Sequence, residues 1–191
     1  MYVRHSLFIF ANGEGSQHMA IERETFLAVL EDSYSAYYDI IRNEGLTELP
    51  LIFRADYFSR NEKYWITKSV KIWGNEINEF VYIFSAPTLD AATAEACMDF
   101  VLADALPRVK PHSEHQYTNF KAIFVADHLD EATKKAVQKR SFSKSYHFSL
   151  HGYSTLLTAA VDLSENKTVT NKAGYELAKY FSKLFDARKG E

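Results

Sequence analysis

The most constraining stretch of this chain is Phe120-Lys121-Ala122-Ile123-Phe124-Val125-Ala126. It is nearly all apolar and short, the pattern of a strand buried inside a sheet. Asp127 and His128 follow directly. Then Leu129, Ala132, Ala136 and Val137 recur at helical spacing, and a second strand-like run opens at Phe142. A strand–helix–strand unit of this length is right for a parallel crossover, so the strands opening at Phe120 and Phe142 are expected to be parallel neighbours.

The flanking segments change period. From Met19 to Arg42, Phe26, Leu27, Leu30, Tyr34, Tyr37, Tyr38 and Ile41 repeat with helical spacing, and Asn43-Glu44-Gly45 supplies a stop. Residues 51–86 alternate as strands do, with breaks at Arg60-Asn61-Glu62 and Gly74-Asn75, which predicts a three-stranded antiparallel meander. A helix capped by Thr88 follows, with Leu89, Ala92, Ala96, Phe100 and Val101 inward, and Pro107 and Pro111 end it. Residues 142–150 and 153–163 read as strands around Gly152, and Thr170 or Asn171 caps a last helix. The expected fold is α+β, a mixed and mostly antiparallel sheet with helices packed on it, in the order α-βββ-α-β-α-ββ-α. Residues 1–18 fit this pattern poorly and read as an N-terminal extension; residues 19–191 read as a single domain.

Composition narrows the function classes. Lys+Arg number 22 against 25 Asp+Glu, a net charge of −3, which gives no electrostatic appeal to nucleic acid or to an anionic membrane. No segment reaches the roughly 18 apolar residues of a membrane span. The single cysteine, Cys97, sits at helical spacing among apolar residues and reads as a core side chain. A cytoplasmic protein is expected. The basic run Lys134, Lys135, Lys139, Arg140 and Lys144 reads as a solvated helix face, with a phosphate contact as the other reading.

Histidine is unevenly placed: His112, His115, His128, His147 and His151 are five of the seven. On a strand over residues 142–150, His147 and His151 would lie roughly 13 Å apart, too far to share a metal. Their face also carries Ser145 and Ser149, and reads either as a solvated face or as the wall of a polar pocket. If the strands from Phe120 and Phe142 are parallel neighbours, Asp127, His128 and His151 converge at their carboxyl ends, where ligands of such sheets sit. Asp127 is equally a candidate N-cap for the helix from Leu129. His112 and His115 have the spacing of half a metal site and no second half. Nothing in the sequence calls for a cofactor.

Two resemblances attach to these motifs. The opening order α-βββ-α-β resembles the core of restriction-endonuclease-like folds, in which an Asp on one strand works with a Glu-x-Lys or Asp-x-Lys on the next. Asp56 stands where the first acid would, but Ile66-Thr67-Lys68 lacks the acid and Glu79-Phe80-Val81 lacks the lysine, so the pattern is broken. The last quarter of the chain is similar to an uncharacterised bacterial family. Its motifs are 147–154 (His-Phe-Ser-Leu-His-Gly-Tyr-Ser), Val161-Asp162-Leu163 and Thr170-Asn171-Lys172-Ala173-Gly174. That likeness implies no activity.

The leading expectation is a domain that binds a small ligand or a protein partner without catalysis. Its site would comprise Asp127, His128, Ser145, His147, Ser149 and His151. The alternative is a metal-dependent or acid/base hydrolase built on the same His/Asp cluster, so enzymatic activity stays open. Homo-oligomerisation through an aromatic sheet face or the first helix is a further expectation.

Overall fold

A computed structural model describes residues 22–43, 45–64 and 71–189. The elements are α1 (Arg23–Ser35), β1 (Asp39–Arg42), β2 (Leu51–Tyr64), β3 (Lys71–Leu89), α2 (Ala91–Ala105), β4 (His115–Leu129), α3 (Glu131–Lys139), β5 (Ser143–Ser145), β6 (Tyr153–Asp162), β7 (Lys167–Thr170) and α4 (Tyr175–Lys189). The described strands form one mixed sheet in the order β1-β2-β3-β4-β6-β5, with β7 also paired to β6. The fold is α+β, as expected.

β4 is the buried strand announced by the apolar run, with residues 122–126 fully buried between parallel neighbours β3 and β6. Successive side chains on a strand point to opposite faces. Phe80, Tyr82 and Phe84 accordingly pack with Cys97, Met98 and Val101 of α2 and Val137 of α3. Val81, Ile83, Ile123 and Val125 pack on the other face with Phe26 and Leu30 of α1 and Leu177 and Phe181 of α4. Helices thus cover both faces. Burying each of these phenylalanines contributes about 1.5–3 kcal/mol. Cys97 is a core residue, and burial pushes its thiol up to about 12.

Several expectations need correction. The first helix stops at Ser35, where the backbone N–H groups of Tyr37 and Tyr38 both bond to Tyr34 O. Asp39-Ile40-Ile41-Arg42 instead forms an edge strand against β2, as its β-branched pair favours. Tyr37 therefore leaves the aromatic stripe and stands 79% exposed. The meander is one long hairpin: Arg60, Asn61 and Glu62 pair with Glu76, Asn75 and Gly74, so the expected breaks are paired strand. Residues 65–70 of the expected middle strand, and the expected extension 1–18, lie outside the described residues.

The strand expected over residues 142–150 shrinks to β5, an exposed Ser-Lys-Ser edge antiparallel to β6. The parallel place beside β4 goes to β6, whose Leu156, Ala159, Ala160 and Val161 have apolar surface to bury on both faces. Residues 146–152 instead form a closed turn. His147, Phe148 and Ser149 have φ of 47°, 52° and 69°. Leu150 N–H donates to His147 O, and His151 N–H to Tyr146 O. Each left-handed non-glycine residue costs about 1–2 kcal/mol, so this turn is held by its surroundings. Gly152 closes it at φ 74°; a Cβ there would lie 2.4 Å from Gln116 O, which only glycine avoids. Strand β7 was not expected either. It follows a turn in which Asn166 takes φ 50°, and Thr168-Val169-Thr170 is its β-branched signal.

The helix caps also move. Asp90, not Thr88, caps α2, accepting from Thr93 N–H at 2.7 Å. Asp130, not Asp127, caps α3, accepting from Thr133 N–H at 2.7 Å, because β4 runs on through Leu129.

Candidate functional site

The expected His/Asp site does not assemble. β4 and β6 run parallel with Tyr117 opposite Tyr153, so His151 sits level with His115 at the amino-terminal end of β4. His115 Nδ1 lies 2.7 Å from His151 O. His128 is at the other end of the same strand, roughly 40 Å away at about 3.3 Å per residue. Asp127 there accepts from Arg23 at 2.7 Å, and His128 Nδ1 lies 3.3 Å from Ser164 Oγ. Ser145, His147, Ser149 and His151 belong to the opposite end, on β5 and the turn that follows it. The parallel neighbour of β4 is β6, and β5 is antiparallel at the edge.

The weak metal pair fares no better. His115 is 3% exposed, and its second ring nitrogen, Nε2, lies 2.9 Å from Thr118 Oγ1. His112 Nε2 lies 3.1 Å from Glu76 Oε2. Among the described residues no group of three or more His, Cys, Asp or Glu side chains could hold a metal. Asp56 is buried against Arg54 and Arg108 and pairs across the sheet with Phe80. It therefore faces away from Glu79, and the two acids of the nuclease-like pattern are on opposite sides of the sheet. Ile66-Thr67-Lys68 lies outside the described residues.

The basic run is not uniformly solvated. Lys134 is buried, and its ammonium lies 2.9 Å from Asp162 and 3.3 Å from Glu165.

A different set of residues converges. One rung of the sheet joins Tyr57, Glu79, Asn119 and Thr155 on adjacent strands, all on the face that carries α1 and α4. The neighbouring rung joins Ala55, Val81, Lys121 and Leu157. The two helices cover the apolar half of this face and stop short of the polar half. At that border Ser33 Oγ, near the end of α1, lies 2.9 Å from Tyr180 OH on α4. A cleft of about 610 Å³ opens beneath, floored by Glu79, Asn119 and Lys121 and walled by Tyr34, Tyr38 and Tyr153 among others.

The floor is chemically organised. Glu79 Oε2 accepts from both Lys121 Nζ and Tyr38 OH, each at 2.5 Å. The Lys121 and Glu79 side chains are only 13% and 17% exposed. Such a pair is costly to desolvate and very costly to break on one side. Burial, then the Glu79 carboxylate, raises the Tyr38 hydroxyl; burial, Tyr180 and Glu79 raise that of Tyr34. Both phenols are therefore neutral donors at physiological pH. Tyr117 stacks on Tyr153 with centroids 5.8 Å apart, extending the aromatic wall. Among the described residues the Asn119 amide has no side-chain partner. An aromatic wall, an amide, a hydroxyl and a neutralised ion pair can bind a ligand.

Sequence reasoning missed Glu79 and Lys121 as a pair. The available signal was Lys121 itself, one charge inside the apolar run of residues 120–126, which requires a buried partner.

Residues 22–183 match the model of one protein family, whose description is a domain of unknown function, DUF8052. No curated protein and no solved structure matches the chain. No helix among the described residues is long and apolar enough to cross a membrane.

Proposed function

Because the chain belongs to this DUF8052 family, whose description carries no activity, we propose a function from the cleft itself: binding of a small, uncharged, ring-shaped ligand bearing hydroxyl or amide groups. The observation that carries this reading is the Asn119 amide, which has no side-chain partner among the described residues, beside the closed Glu79–Lys121 pair and under a tyrosine wall that the helices leave open. Aromatic faces suit a flat apolar ring, and neutral donors and acceptors suit its polar substituents. A strongly charged ligand would have to compete with an ion pair that is already satisfied. Cys97, a buried thiol, suits residence in the cytoplasm.

The test is an amide-resolved NMR titration of the full chain with three uncharged probes: a methyl hexoside, a pyrimidine nucleoside and benzamide. At least one should bind and shift residues 119–121 and 153–157. Asn119→Ala should weaken that probe by about fivefold or more, the equivalent of one hydrogen bond, with the melting temperature unchanged. If no probe binds, or if the variant binds equally well, the cleft is not this kind of site.

A further inference from the structure

The left-handed turn between β5 and β6 does something a strand could not. It brings His147 and His151 together, with ring centroids 4.7 Å apart and planes inclined by 31°. We propose that these two imidazoles form a binding site for an imidazole-preferring divalent transition-metal ion, such as zinc or nickel.

Geometry carries the proposal first. A zinc ion about 2.0–2.1 Å from one nitrogen of each ring, in tetrahedral arrangement, puts the two centroids roughly 5 Å apart. The observed centroid spacing of 4.7 Å is close to that value. Availability comes second. Among the described residues neither imidazole has a hydrogen-bond partner, whereas both ring nitrogens of the neighbouring His115 are taken. His147 is exposed and His151 is partly exposed, so an ion has an approach path. Position comes third. His151 is fixed by its backbone, whose carbonyl lies 2.7 Å from His115 Nδ1. His147 is fixed by the run of positive φ that Gly152 closes. The backbone that carries the pair is therefore held in place before any ion arrives, which lowers the ordering cost of binding. Two nitrogens leave further coordination positions for water or for a donor from a second molecule.

This site is separate from the cleft and does not depend on its ligand. The test is isothermal titration of zinc chloride, and separately of nickel chloride, into the untagged full chain at pH 7.5. One ion should bind per chain. His147→Ala and His151→Ala should each weaken binding by about tenfold or more, because one ligand of two is lost. His112→Ala, which removes an imidazole already paired with Glu76, should leave binding unchanged. The proposal is overturned if no stoichiometric ion binds. It is equally overturned if both His147→Ala and His151→Ala bind as wild type does, or if His112→Ala alone abolishes binding.

Discussion

Asn171→Ala should cost about 3–5 kcal/mol of folding stability, as several buried backbone groups lose their partner at once. Asn171 is 4% exposed, and its side chain uses its full bonding capacity. Its Oδ1 accepts from Gly174 N–H at 2.8 Å and Thr158 N–H at 3.2 Å. Its Nδ2 donates to Arg140 O and Leu156 O, both at 2.9 Å. One residue thus ties the entry to α4 to β6 and to the end of α3. Asn171→Asp keeps the shape, but it turns an oxygen toward two carbonyls and buries a charge, so it should be at least as damaging. Urea unfolding of both variants is the check. A loss under about 1 kcal/mol for the alanine variant, the value of one ordinary hydrogen bond, would mean that the four groups find other partners.

Lys134→Met should cost about 3 kcal/mol, at the lower end for breaking a buried pair. Asp162 is 1% exposed and would lose its ammonium partner, keeping Ser164 Oγ–H at 2.7 Å, Leu129 N–H at 3.1 Å and Glu165 N–H at 3.3 Å. The pH dependence follows from the signs. Burial alone would raise the Asp162 carboxyl, but Ser164, Lys134 and Leu129 outweigh it and hold it below the ordinary 3.8. Stability from a depressed carboxyl is present above the unfolded value and is lost as pH falls through the folded one. Lys134 is held above its ordinary 10.5, because Asp162 and Glu165 outweigh its burial. Its contribution is full below that value and lost at higher pH. The gap between wild type and variant should therefore be flat near neutrality and close below about pH 3.8. Adding Asp162→Asn to Lys134→Met should restore part of the loss, since no unpaired charge then stays buried. A gap that persists unchanged at pH 3 would place the cost in lost packing and not in the ion pair.

These two sites also show what a sequence can and cannot disclose. The buried strand β4, the presence of α2, α3 and α4, and the core role of Cys97 were legible, because local periodicity reports burial. The expected stripes were only partly right: Ala92, Ala96, Ala132, Ala173 and Tyr180 are exposed, while Ala94, Met98, Thr133 and Lys134 are buried. Asn171 was legible as a candidate cap, though not as the hub of four bonds. Strand neighbours were not legible. The run 142–150 alternates as a strand does, yet its Phe148 and Leu150 are 97% and 68% exposed at a left-handed turn. Its alternation was an accident of composition. Choosing it as the partner of β4 moved His151 to the wrong end of the sheet and created a His/Asp cluster that does not exist. Pairing is a long-range choice, decided by which strand has apolar surface to bury on both faces, and β6 wins on that ground over the Ser-Lys-Ser of β5. Lys134 failed for a related reason. Helical spacing places it in a basic run, but only the tertiary fold brings Asp162 against it. The cleft escaped because its rung draws one residue from each of four strands, and no sequence window contains them all.

The most direct measurement is a crystal structure of the full chain with the tightest-binding of the three uncharged probes. The ring should lie over the rung of Tyr57, Glu79, Asn119 and Thr155, against Tyr153, with a polar atom within hydrogen-bond distance of the Asn119 amide. A probe seated instead on the opposite face, beside Phe58 and Arg108, with the tyrosine-walled cleft empty, would contradict the cleft as the binding site.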